Sequence, residues 1–180
     1  MSEQGALAFH KLVGAMRTTE KEYWAHRDKQ VLRQAFELEG RVDDTIAKVD
    51  AKNVPESKNG EFFKEVALLR STTKEYFALK KSEAGDKEVV KEKFKMIKAS
   101  EAKVDKMLVA FQDEQALKDG YRIEWHVMEK LPRAHEAHPI FNSMDEQLAR
   151  IELNNFMRRP PIPGTMYFMA KKYIKPQEKK

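Results

Sequence analysis

One short motif occurs twice in the chain, and that repetition constrains the architecture more than any other feature. Arg17-Thr-Thr-Glu-Lys-Glu-Tyr-Trp-Ala25 returns as Arg70-Ser-Thr-Thr-Lys-Glu-Tyr-Phe-Ala78, and Glu39-Gly-Arg-Val-Asp43 returns as Glu101-Ala-Lys-Val-Asp105. A repeated unit carries the same apolar face each time and has to bury it in the same way. The period of that face is helical. Phe9, Leu12, Val13, Met16, Tyr23 and Trp24 recur at three- and four-residue steps, which predicts a first helix over residues 3–27.

Asp28 interrupts the pattern and can cap a second helix, whose seam is Ala35, Glu39, Val42, Ile46 and Val49. Gly40 and its counterpart Ala102 are both small, which suits close helix approach. Residues 51–60 form a linker, with Pro55 and Asn59-Gly60 as breakers. A third helix places Phe62, Val66, Leu69, Tyr76 and Phe77 inward. After a break at Gly85-Asp86, a fourth runs to Lys118 with Val90, Phe94, Ile97, Glu101, Val104, Leu108 and Phe111 on its seam. The fold class is all-α: an antiparallel bundle of two repeated helical hairpins over residues 1–118, then a basic, proline-containing appendage over 119–180.

Spacing assigns roles to four charged residues. Arg17 and Glu39 stand eleven residues either side of Asp28, and Arg70 and Glu101 are centred on Gly85-Asp86. In an antiparallel hairpin, residues equidistant from the turn lie at the same height. The expectation is that Arg17 faces Glu39 and Arg70 faces Glu101, as structural ion pairs pinning each hairpin. A carboxylate in an apolar seam is costly unless an arginine fork meets it.

Beyond Asp119-Gly120 the texture changes. Tyr121, Ile123, Trp125 and Val127 alternate as in a strand. Pro132 and Pro139 bracket an irregular stretch. Ser143-Met-Asp-Glu146 reads as a capping box opening a short helix with Leu148, Ile151 and Leu153 or Phe156 inward. Residues 165–170 can pair with 121–128 as a small β ribbon, which is marginal without further cover.

The charge sits in this appendage. The chain is +5 overall, but residues 156–180 hold seven basic residues against one acid, a net +6, leaving the remainder at −1. Arg158, Arg159, Lys171, Lys172 and Lys175 can contact phosphates or an acidic partner, and Trp125, Tyr167 and Phe168 can anchor a protein interface. The plain alternative is a solubilising terminus.

Catalytic and cofactor signatures are missing. There is no cysteine, no glycine-rich phosphate loop and no nucleophile elbow. His135-Glu-Ala-His138, with His126 nearby, is bracketed by prolines and lacks the four-residue histidine spacing of a zincin, so these read as surface or capping histidines. Glu39 and Glu101 are followed three residues later by Val42 and Val104, not by the histidines of a di-iron bundle. The Lys-Glu-Tyr-(Trp/Phe) motif could stack on bases, although at helical spacing a buried aromatic is the commoner outcome. No metal, cofactor or enzymatic activity is expected. The N-terminus lacks the order of a signal peptide and no apolar run approaches about 20 residues, so a cytoplasmic location without membrane insertion is expected.

Met16, Arg17, Lys21, Tyr23, Trp24, Arg27 and Asp28, followed by Leu38, Glu39, Val42, Asp43 and Ile46, form a pattern that resembles small helical-hairpin proteins encoded by Bacteroidetes phages and mobile elements. The resemblance covers residues 10–48 well and 66–110 loosely, where Arg70, Lys74, Tyr76, Phe77, Glu101, Val104, Asp105 and Leu108 match. It implies a helical hairpin and a phage or virion setting, with no assigned activity. The resulting expectation is a non-enzymatic interaction or structural protein docking a protein partner through the appendage. The alternative is a nucleic-acid-binding protein that uses the basic tail.

Overall fold

Ser2 starts the first helix, its hydroxyl accepting from the Gly5 N–H at 3.2 Å. That helix, α1 (Glu3–His26), ends where Arg27 turns to a left-handed φ of 58° and donates its N–H to the Tyr23 carbonyl. Asp28 then caps α2 (Lys29–Ala47), accepting from the Gln30 and Val31 N–H groups. These atoms come from a computed structural model that describes residues 2–49, 54–82, 86–158 and 162–175. Residues 51–53 of the predicted linker and the Gly85 half of the second break lie outside the described residues.

The third helix, α3 (Lys58–Lys81), is capped by Ser57, and Asp86 accepts from the Glu88 N–H at the start of α4 (Lys87–Lys118). Helix α3 begins before Gly60, so that glycine is not a breaker. A Cβ there would stand 1.9 Å from the Pro55 carbonyl oxygen, and glycine is what lets the incoming chain cross the first turn. Gly40 is the reverse case. Nothing lies within 4 Å of a Cβ built on it, so it serves no close helix approach.

Four helices share one core, with Phe9, Val13, Met16, Val42, Phe62, Val66, Leu69, Ile97, Val104 and Leu108 buried together. Each large side chain withdrawn from water contributes about 1.5–3 kcal/mol. Near one end of this core His10 lies between the rings of Phe62 and Phe111, at 4.0 and 3.9 Å. Its Nδ1 donates to the Ala6 carbonyl at 2.8 Å, and burial holds its pKa below the ordinary value.

The chain divides into two compact units, Met1–Phe111 and Gln112–Lys180. The division falls inside α4, earlier than its end at Lys118, because Asp113 belongs with the second unit. Lys171 pairs with Asp113, and the Tyr173 hydroxyl donates to it at 2.9 Å.

The second unit is β1 (Arg122–Lys130), β2 (His138–Ser143), α5 (Glu146–Arg158) and β3 (Met166–Ile174), with an antiparallel sheet ordered β2-β1-β3. The protein is therefore mostly helical with a small sheet, and not all-α. The two strands expected to pair do so, over Arg122↔Ile174 to Lys130↔Met166. The stretch read as irregular supplies a third strand, β2, which accommodates Pro139 at an edge where a register shift relaxes the ladder. Helix α5 covers the sheet with Ala149, Leu153 and Phe156, the last stacked on Tyr167 at 6.0 Å. Leu148 and Ile151, expected inward, are exposed. The cap of α5 is Asp145, which accepts from Gln147 and Leu148, so Glu146 starts the helix and Ser143 only supports the cap.

Candidate binding cavity

The four charged residues do form ion pairs, but not the expected ones: each arginine meets the acid of the other hairpin. Arg17 donates through Nη1 to Glu101 at 3.0 Å and through Nε to Asp105 at 3.0 Å. Arg70 pairs through Nη1 with Glu39 at 2.8 Å and through Nε and Nη2 with both oxygens of Asp43. Lys21 reinforces Asp105 and Lys74 reinforces Asp43, at 2.9 and 3.0 Å. The assignments Arg17–Glu39 and Arg70–Glu101 are thus corrected. The height argument is right, since all four residues line one cavity. It fails on direction, because a bundle helix has two lateral neighbours and equal height does not choose between them. The pins join the hairpins to each other.

Burial would lower the guanidinium pKa of Arg17, but the Asp105 hydrogen bond and the charges of Glu20 and Glu101 outweigh it and hold the value above the ordinary one. Burial would raise Asp43 and Asp105, yet hydrogen bonds from Arg70 and Lys74, and from Arg17 and Lys21, hold both below the usual carboxylate range. Glu20 goes the other way. Burial pushes it up, Glu39 adds to the shift, and Arg17 and Arg70 only partly offset it.

Glu20 marks the difference between the two networks at the arginines, and Lys98, which pairs with Glu101 at 2.7 Å where Phe36 stands beside Glu39, marks another at the glutamates. Glu20 pairs with Arg17, whose Nη1 therefore meets two carboxylates. Its counterpart in the second motif copy is Thr73, which turns its hydroxyl onto its own helix, at the Leu69 carbonyl. Nη1 of Arg70 meets only Glu39.

Above this ionic floor the helices enclose a cavity of about 330 Å³. Its walls are Tyr23, Trp24, Phe36, Tyr76, Phe77 and Phe94, with Ala35, Leu69 and Ile97 behind them. Trp24, Phe77 and Phe94, expected as core, are 58, 50 and 46% exposed, and Phe36 is 61% exposed. The core ends at the ionic layer, and beyond it these rings line a space instead of filling one. Cations already sit on four of the aromatics, with Arg27 over Trp24 at 4.1 Å and over Tyr23 at 5.6 Å, Lys98 over Phe94 at 5.5 Å and Lys80 over Tyr76 at 5.7 Å. Phe36, Glu20 and Thr73 were not singled out by the sequence reading. The signal available was the Glu20/Thr73 mismatch, the one change of charge between the two copies of the first motif.

The appendage disperses the other expected contact residues. Trp125 lies beneath the Lys171 ammonium, 4.7 Å from ring centre, and Lys171 itself is tied to Asp113. Tyr167 stacks on Phe156. These three are engaged within their own unit. Arg158, Phe168, Lys172 and Lys175 are exposed, while Arg159 lies outside the described residues. His126 bonds Glu124 at 2.7 Å and His138 pairs with Glu129 at 3.3 Å. Among the described residues no three metal-binding side chains gather, and no helix is long and apolar enough to cross a membrane. Comparison with protein-family models, curated proteins and solved structures gives no match.

Proposed function

We propose that the chain is a non-enzymatic binding protein whose capture site is the open end of the helical bundle. The observation that carries this reading is the ring of exposed aromatics around a cavity floored by ion pairs. Exposed apolar clusters of this kind mark interaction or ligand sites, and about 330 Å³ is at the lower end of small-molecule pockets. Two fused hairpins suit such a role: cross-hairpin ion pairs fix the floor while the turn ends stay apart. The phage or mobile-element setting belongs to this proposal through the hairpin resemblance alone.

Trp24 lines the cavity and Trp125 lies in the other unit, so a Trp125→Phe chain reports on the cavity by fluorescence. Neutral aromatic probes such as indole or naphthalene should shift Trp24 emission, and Phe77→Ala with Phe94→Ala should weaken that response at least tenfold. An unchanged response in the double variant would place the probes elsewhere.

A second reading, nucleic-acid binding, draws on Phe168, Lys172 and Lys175, exposed along and just beyond β3, with Arg158 on α5. A ring beside cations can stack a base while the cations meet phosphates. Three neutralised phosphates predict a fall in log affinity with log salt of slope about −2 for single strands. Lys172→Ala, Lys175→Ala and Arg158→Ala should abolish that dependence.

A further inference from the structure

We propose that the bundle cavity binds a small apolar carboxylic acid, with its carboxylate on Arg70 beside Thr73, in the position that Glu20 occupies beside Arg17. This rests on the cavity being the capture site and names the chemistry of its guest.

The two networks share the arginine, the Glu and Asp it meets and the supporting lysine, and they differ at two points: Lys98 pairs with Glu101 where Phe36 stands beside Glu39, and Glu20 stands where the second copy has Thr73. Arg17 meets three acids, Glu20, Glu101 and Asp105, whereas Arg70 meets two, Glu39 and Asp43. A guanidinium has five N–H donors and both Nη1 donors of Arg17 are used. On Arg70, among the described residues, Nη1 meets one carboxylate, that of Glu39, where Nη1 of Arg17 meets two. Arg70 and Thr73 both line the cavity, and Thr73 is too short to reach across and is committed to its own backbone. The place beside Nη1 of Arg70 therefore opens into the cavity.

Charge is compatible with an anion. The lining holds Arg17, Arg70, Lys80 and Lys98 against Glu20, Glu39 and Glu101, one cation in excess. The aromatic walls require the rest of the guest to be apolar. Its size follows from volume: a dry cavity of about 150 Å³ holds benzene, so about 330 Å³ suits roughly a dozen non-hydrogen atoms. An arylalkanoate meets all three conditions. A polypeptide C-terminus offers the same carboxylate, but the rest of such a chain would have to pass the exposed lining rings of Trp24, Phe36, Phe77 and Phe94.

The test is calorimetric titration of the full chain with 3-phenylpropionate, with its neutral amide, and with an acetylated tripeptide ending in phenylalanine. The acid should bind at least tenfold more tightly than the amide, and more tightly than the peptide. Thr73→Glu places a carboxylate where Glu20 stands in the other network, and should reduce acid binding at least tenfold and by a larger factor than it reduces amide binding. Equal binding of acid and amide by the native chain overturns the carboxylate assignment and leaves the cavity reading intact. Binding of neither overturns both. Tighter binding of the peptide overturns the assignment to a free acid, and undiminished acid binding by Thr73→Glu overturns the placement on Arg70. The native-chain comparison decides the chemistry even if the variant does not fold.

Discussion

Arg17 and Arg70 are each about 5% exposed, yet neither is a buried charge in isolation. Each is surrounded by carboxylates that remain partly wet, with side chains 16–26% exposed, so the desolvation penalty is shared and the pairs are worth less than fully interior ones. Their partners can be identified by coupling. A double-mutant cycle of Arg17→Ala with Glu101→Ala should give about 1–2 kcal/mol, and the cycle of Arg17→Ala with Glu39→Ala should lie within about 0.5 kcal/mol of zero. The opposite ranking in denaturant unfolding would restore within-hairpin pairing. Glu20 adds a pH signature. Burial raises its folded-state pKa, so in the window between the ordinary glutamate value and the raised one the folded protein binds more protons than the unfolded chain. Stability then falls as pH rises through that window. Asp43 and Asp105 are lowered, so their contribution is complete above the ordinary aspartate range and is lost only as pH falls towards their folded values. Glu20→Gln removes the first slope and not the second. Urea midpoints of the native chain should decline relative to the variant from about pH 4.5 upward, and parallel curves would show that burial does not raise the Glu20 pKa.

Helix ends and helix faces were legible because they depend on nearest neighbours along the chain. Asp28 caps α2 and Asp86 caps α4 where the apolar period breaks, and Val13, Met16, Val66, Leu69 and Val104 are buried as their spacing predicts. What was not legible depends on through-space neighbours. The lateral partner of Arg17, the strand 138–143 around Pro139, and the empty space beyond the ionic layer are set by packing that no single-helix period encodes. The two glycines make the same division in energy. Gly40 is an exposed helix position with no neighbour within 4 Å, so Gly40→Ala should stabilise the fold by about 0.5–1 kcal/mol through propensity alone. Gly60 is also helical, and propensity would favour alanine there too. Its Cβ would press on backbone at 1.9 Å, and Gly60→Ala should cost about 1–3 kcal/mol. Thermal melts that move in the same direction for both variants would mean that the Pro55 crossing yields freely.

The two units have cores of very different size. Among the described residues, unit one gathers eleven buried hydrophobic residues into a single cluster, whereas in unit two only Val127 and Ala149 are fully withdrawn from water. Small units bury a smaller share of their surface and are correspondingly marginal. Each unit carries one of the two tryptophans, Trp24 in the first and Trp125 in the second, so their unfolding can be followed separately in Trp24→Phe and Trp125→Phe chains. The Trp125 transition should come first on heating. A guest of the cavity stabilises only the unit that holds it. At a hundredfold excess over its dissociation constant it adds about 2.7 kcal/mol, which for a unit of this size corresponds to a rise of roughly 10 °C in the Trp24 transition. The Trp125 transition should stay where it is, widening the gap between the two. If both transitions moved together by the same amount, the units would be unfolding as one cooperative body, with α4 as the element that spans the division between them.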